Sequence, residues 1–202
     1  KEPSLLGLAL RNRAFRATTL QCHYRSRTES LIRFSQRRYY PEMRTFPAPT
    51  PRTQHLGLQN VLVEGRCVGG INEVEAQAVV DRLRAHYEMW YQDGHLTRAI
   101  GIVAFGEKQI ARIATLARQD KKLREYHHNP EAEGLGYFYR TIEKVQGQQA
   151  EDMILSLTYG VNESGKTSQT FGELNRGKLG ECIFNVAVTR ARSTVTMIHS
   201  IR

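Results

Sequence analysis

The chain has 202 residues, 40% of them hydrophobic and 24% charged, with a formal net charge of +9, enough apolar surface for one globular domain with a substantial core. No apolar run approaches the ~20 residues of a membrane span, so no membrane partner is expected. Three cysteines (Cys22, Cys67 and Cys182) stand far apart with no C-x-x-C pair, which argues against a disulfide framework or zinc site and for reduced thiols in a cytoplasmic protein.

In chain order, the opening Lys1-Glu2-Pro3-Ser4 lacks an initiator Met and an apolar leader, and the chain stops at Ile201-Arg202 directly after an apolar run. The expectation is a fragment of a longer protein, with residues 1–17 as a ragged extension. Leu20 to Tyr24 reads as a short strand, and Ser26-Arg27-Thr28-Glu29 has capping-box spacing that would open a helix through Leu31, Phe34 and about Tyr39. Pro41 to Pro51 is a loop, Leu58 to Val63 a strand. From about Asn72 a helix places Ala76, Val79, Leu83, Tyr87 and Trp90 on one face, and Ile100 to Phe105 is an apolar run of buried-strand length. A helix bearing Ile110, Ile113 and Ala117 comes next, then a loop around His127 to Gly136. "YFYRTI" and "DMILSLT" read as strands, "GECIFNVAVTRAR" as a helix and "STVTMIHS" as a closing strand. Alternating strands and helices predict a three-layer α/β domain with a largely parallel sheet.

Charge is uneven along the chain. Residues 1–60 carry 11 Lys/Arg against three acids, whereas the remainder carries 18 against 17. A basic third on a nearly neutral body fits a phosphate-facing surface or a solvated face.

Gly160-Val-Asn-Glu-Ser-Gly165-Lys166-Thr167 satisfies G-x-x-x-x-G-K-[ST], the pattern of a loop that wraps phosphates in backbone N–H groups. A strand precedes it, as such a loop requires. The stretch after Thr167 does not open a regular helix: Gly172, Gly177 and Gly180 interrupt it, and Phe171, Leu174 and Leu179 hold no helical stripe. No later strand ends in an acid that could hold Mg²⁺.

Three stretches fit together better: "LQCHYRSR", "TIEKVQGQQAEDMILS" and "NVAVTRAR", in this order. Together they resemble the second motor domain of superfamily 1 helicases, in the branch related to the nonsense-mediated-decay RNA helicase. The resemblance runs from about Thr18 to Ser200 and takes in "IGIVAFGEKQ" and the Gly-rich loop around Lys166. It implies a RecA-like fold without its own Walker A or Walker B residues. It also implies ATP and Mg²⁺ bound mainly by a first RecA-like domain of the same polypeptide, and single-stranded DNA or RNA as partner.

By that resemblance Arg25 and Arg190 are the cations that reach the γ-phosphate, Arg190 being the arginine finger, a role that suits a permanently charged bidentate guanidinium. Gln146, Gly147 and Gln149 lie on the nucleotide side, and Gln109 and Thr189 on the nucleic-acid side. The sequence departs from the family at Gln149, where Glu is usual for a ribose contact, and at Cys182, Ile183 and Phe184, where basic residues are common. Two other readings stay open: a non-catalytic nucleic-acid-binding module with the same fold, and a free-standing P-loop NTPase. No metal site is expected; His127 and His128 with Glu131 and Glu133 read as a solvated loop, and Tyr137, Phe138 and Tyr139 as a strand of alternating burial rather than a base-stacking platform.

Overall fold

The computed structural model describes residues 5–19, 21–46, 56–92, 99–127, 137–162, 164–167 and 170–201. Five strands form one sheet: β3 (Gly57–Leu62), β4 (Ile100–Ala104), β5 (Tyr137–Thr141), β6 (Ala150–Ser156) and β7 (Ala191–His199). Their order is β3-β7-β6-β4-β5, and every pairing is parallel. A separate two-stranded parallel sheet joins β1 (Cys22–His23) to β2 (Arg44–Thr45).

The strands alternate their side chains between two cores, as a pleat of period two requires. Ile100, Ile102 and Ile154 pack with Ala76, Val79, Leu83 and Tyr87 of α3 (Glu73–Gln92), Ile110, Ile113 and Ala117 of α4 (Glu107–Gln119), and Leu123 of α5 (Lys121–His127). Val103, Met153, Leu155 and Val195 face the other way, onto Leu31 of α2 (Ser30–Tyr39) and Ala187 and Val188 of α6 (Lys178–Val188). Helices thus cover both faces, and the predicted three-layer RecA-like architecture with a parallel sheet is what the chain adopts.

Several local expectations change. α1 (Leu5–Arg11), within the expected extension, is a short helix that leaves Leu5, Leu8 and Leu10 exposed. The capping box does not form: α2 starts at Ser30 with Glu29 as its N-cap, and no side chain caps it. Ser26 is already engaged, since its amide donates to His23 Nε2 at 3.1 Å and its hydroxyl lies 2.9 Å from the same atom. Phe34 is exposed, and Leu31, Ile32 and Ser35 form the buried face of α2. The Pro-rich loop contains β2 in its first part, and the loop around His127 is preceded by α5.

The last helix ends earlier than periodicity suggests. α6 stops at Val188, with Thr189 as its C-cap at φ −98°, ψ 9° and the Thr189 hydroxyl turned back onto the carbonyls of Asn185 (2.8 Å) and Val186 (3.1 Å) at the helix end. β7 then begins at Ala191, two residues before the expected start. Leu20, Pro47 to Pro51, and the segment bearing His128, Glu131 and Glu133 lie outside the described residues, as do the side chains of Trp90 and His127.

Candidate nucleotide-facing site

A parallel sheet has one edge where strands begin and one where they end. The crossover from β5 to β6 spans only residues 142–149, and it is anchored by buried Ile142 and Val145 in the core under α2 and α6. It therefore delivers Gln146 to Gln149 to the beginning edge, at the mouth of β6. Ala150 pairs in register with Ala191, and its amide donates to the Arg190 carbonyl at 3.2 Å, so Gln149 and Arg190 end up side by side along the edge.

The first motif arrives at the same place. The Arg27 amide donates to the Arg192 carbonyl at 2.7 Å, which fastens the turn after β1 to the start of β7. Within that turn the His23 ring ties back to Ser26, with Tyr24 and Arg25 between them; Tyr24 is 85% exposed and Arg25 is half-buried. Gly147 has φ +83° in a turn closed by the Gln148 amide on the Val145 carbonyl at 3.1 Å. A Cβ there would meet nothing. The turn's left-handed backbone, rather than close approach of neighbouring protein, is what asks for glycine. Gln146 and Gln149 are exposed.

The electrostatics of this edge are unusual. Arg190 donates from Nε to the Val186 carbonyl at 2.9 Å, an anchor that orients the rest of the guanidinium. Burial pulls the Arg190 pKa below its ordinary value, and the positive charge of Arg25 adds to the shift. Among the described residues neither Arg25 nor Arg190 has a carboxylate partner. Two guanidinium groups held within each other's field, one half-buried, disfavour each other in the isolated domain and favour an oxyanion between them. A divalent cation would find the opposite environment. The nearest motif carboxylate, Glu151, is 14% exposed and already accepts the Ser193 hydroxyl at 2.7 Å, with Arg27 at 3.5 Å and Arg192 at 3.9 Å. Glu151 therefore does not replace the family Glu that Gln149 lacks.

Residues 59–202 match the family model described as AAA domain. The chain belongs to the AAA domain family. Over 199 residues it is 30% identical to the "Uncharacterized ATP-dependent helicase MG140 homolog" of Mycoplasma pneumoniae, and equally to the "Uncharacterized ATP-dependent helicase MG140" of Mycoplasma genitalium. Each match covers 96% of this chain and 17% of the relative, so the chain spans about a sixth of those proteins. Among solved structures it is similar to the C-terminal domain of a possible DNA helicase from Lactobacillus plantarum WCFS1, with TM-score 0.46, 12% identity, and coverage of 88% of this chain and 87% of that one.

The ending edge of the AAA domain's sheet holds a different constellation. Gln109 is fully buried there, and its carboxamide accepts the Asn72 amide (2.7 Å) and donates to the Asn72 carbonyl (3.0 Å) and Ser156 Oγ (3.1 Å). Expected from the resemblance on the nucleic-acid side, Gln109 is 0% exposed in this domain, and its amide joins α4 to Asn72 and to Ser156 of β6. Thr189 stands at the beginning edge of the sheet, between α6 and β7, with its hydroxyl turned into the end of α6.

The fully buried Glu75 completes the inner network. Oε2 accepts Ser156 Oγ and the Thr158 amide, both at 2.7 Å; Oε1 accepts Ser200 Oγ at 2.9 Å and Asn72 Nδ2 at 3.1 Å. Residue patterning does not single it out, since its four donors come from three separate segments.

Asn162 decides the status of the G-x-x-x-x-G-K-T stretch. Its Oδ1 accepts the amides of Ser164 (3.0 Å) and Lys166 (2.9 Å), while its own amide donates to the Lys166 carbonyl at 2.8 Å. Val161 and Thr167 form an antiparallel bridge across the turn. The amides of Ser164, Gly165 and Lys166 are thus taken by Asn162, and the next element among the described residues is the 3₁₀ turn Gly172–Asn175, not an α-helix. A hollow of about 300 Å³ beside it is lined by Cys67, Val68, Gly69, Asn162 and Ser164, without Lys166 or Thr167. Tyr137 and Tyr139 pack toward the first core and Phe138 toward the second, the alternation of an ordinary strand. Among the described residues no three His, Cys, Asp or Glu side chains form a metal-binding group, and no helix is long and apolar enough to cross a membrane.

Proposed function

We propose that this domain is the second RecA-like motor domain of a superfamily 1 ATP-dependent helicase, and that it completes an ATPase site whose phosphate-binding loop and Mg²⁺ ligands belong to a first motor domain of the same polypeptide. The observation that carries this reading is the convergence of Arg25 and Arg190 at the beginning edge of the sheet, each within the other's field and neither neutralised by a carboxylate among the described residues. The helicase names of the mycoplasma relatives support the same reading.

ATP bound by the first domain supplies the γ-phosphoryl group. Arg190, anchored through Nε, and Arg25, carried on the His23–Ser26 turn, then hold its oxygens and stabilise the charge that develops as it transfers. Gln146 and Gln149 stand exposed on the same edge, where Gln149 offers an amide oxygen to a ribose hydroxyl. Closure of the two domains on the nucleotide moves a single strand of nucleic acid along the pair. The basic residues before position 60 contribute to holding that strand.

In the full-length protein, Arg190→Ala should lower ATP turnover by about 10³ to 10⁵, the range for arginine fingers, with a much smaller change in ATP affinity. Near-normal turnover would overturn the assignment. The 202-residue chain alone should hydrolyse no ATP above background, because its G-x-x-x-x-G-K-T turn offers no phosphate cradle.

A further inference from the structure

Arg25 and Arg190 sit on segments from opposite ends of the chain, and something must hold four like charges together there, since Arg27 and Arg192 flank them. Among the described residues, Glu151 is the carboxylate that pairs with any member of this group. Its position explains how. It is the second residue of β6, tied by its amide to the Ala99 carbonyl at 3.0 Å, so its backbone belongs to the rigid sheet. Its side chain is 14% exposed. Oε2 accepts Ser193 Oγ at 2.7 Å, from a serine that is 1% exposed; Oε1 faces Arg27 Nη2 at 3.5 Å and Arg192 Nη1 at 3.9 Å.

We propose that Glu151 is a positioning residue that clamps the turn bearing Arg25 onto the segment bearing Arg190, and so sets the spacing of the two cations. Glu151 touches neither of them. It acts through Arg27, two residues after Arg25, and through Arg192 and Ser193, just after Arg190. Without its charge, the two segments carry four guanidinium groups, and their separation is opposed by the hydrogen bond from the Arg27 amide to the Arg192 carbonyl and by the core packing of Leu31 further along. Like charges at such range repel, and the repulsion is screened by salt. The role rests on the reading of Arg25 and Arg190 given above, but the clamp itself is a structural property that can be measured without any nucleotide.

The first test is hydrogen exchange on the 202-residue chain. In Glu151→Ala, and less so in Glu151→Gln, which keeps an acceptor for Ser193, amide exchange across residues 23–27 should accelerate at least about tenfold, with β4 amides unchanged. Unchanged exchange at 23–27, or equal acceleration in β4, would overturn the clamp, the latter marking mere loss of stability. The second test is steady-state ATPase activity of the full-length protein. Glu151→Gln should lower kcat at least about tenfold with the ATP KM within about threefold. Raising the salt from about 50 mM to about 300 mM should recover part of that loss relative to wild type. In an Arg25→Ala background, Glu151→Gln should cost less than about threefold more, because it acts through the cation already removed. If Arg25→Ala and Arg190→Ala slow turnover while Glu151 variants behave as wild type, the clamp fails alone. If the exchange change appears while both arginine variants turn over normally, the nucleotide reading fails and the proposed role of the clamp with it.

Discussion

The amide of Arg27 donates to the carbonyl of Arg192 at 2.7 Å, and each of the two cations assigned to the phosphate lies two residues before a partner of that bond. One hydrogen bond therefore brings together segments from the first and last fifths of the chain. Arg25→Ala should lower ATP turnover of the full-length protein in the same direction as Arg190→Ala. On the proposal that both groups serve the same oxygens, the double variant should be slower than the worse single variant by no more than about tenfold. Turnover measured at saturating ATP decides this; fully multiplicative losses would mean that the two arginines act independently.

The Gly160–Thr167 stretch supplies a contrary test. Lys166 is an exposed residue of a turn organised by Asn162, so Lys166→Ala and Thr167→Ala should leave the ATPase rate within about threefold of normal, where tenfold corresponds to about 1.4 kcal/mol. A loss as deep as that of Arg190→Ala, with the fold intact by circular dichroism, would restore the phosphate-loop reading.

Glu75 should be intolerant even of its amide isostere. Each of its oxygens faces one donor that cannot reverse: the Thr158 amide on Oε2 and Asn72 Nδ2 on Oε1. Whichever way the carboxamide introduced by Glu75→Gln turned, its NH₂ would meet a donor. Leaving one such pair unsatisfied costs about 1–3 kcal/mol. Thr158 is also held at φ +72°, a conformation that threonine adopts only under constraint. Urea denaturation of the two proteins measures the difference, and equal midpoints would show that the network is not needed.

Stability should fall on acidification through His23. Its Nε2 accepts the Ser26 amide, a role only the neutral ring can fill. Burial, and then the nearby charge of Arg25, hold its pKa below the ordinary value. A depressed pKa contributes stability that is present above the unfolded value of about 6.5 and is lost as pH falls through the folded value. Burial raises the Glu75 pKa, so that group has the opposite sign: its contribution is present at low pH and is lost as pH rises through its folded value. The informative comparison is therefore wild type against His23→Gln at about pH 7.5, 6.0 and 5.0. The variant should lose less stability across this range; parallel profiles would show that the turn does not depend on the neutral ring.

Hydrophobic periodicity, a local property, was enough to determine the alternation of strands and helices. The apolar positions Ala76, Val79, Leu83 and Tyr87, and Ile110, Ile113 and Ala117, all became core, and the continuous run from Ile100 became a strand buried on both faces. The residue types of the three motifs likewise determined which side chains could meet a phosphate, because that chemistry belongs to the guanidinium group itself. What the sequence left undecided depends on which distant segments meet. The order β3-β7-β6-β4-β5 placed Arg25, Gln149 and Arg190 on one edge and Gln109 on the other, where Asn72 and Ser156 absorbed its amide. The Ser26 capping box lost to the His23 ring, and the phosphate-loop pattern lost to the side chain of Asn162; both are competitions for backbone amides that the spacing of letters does not rank. Glu75 and Glu151 became central only in the fold, since a carboxylate's partners in separate, distant segments are set by tertiary contact and leave no periodic trace along the chain.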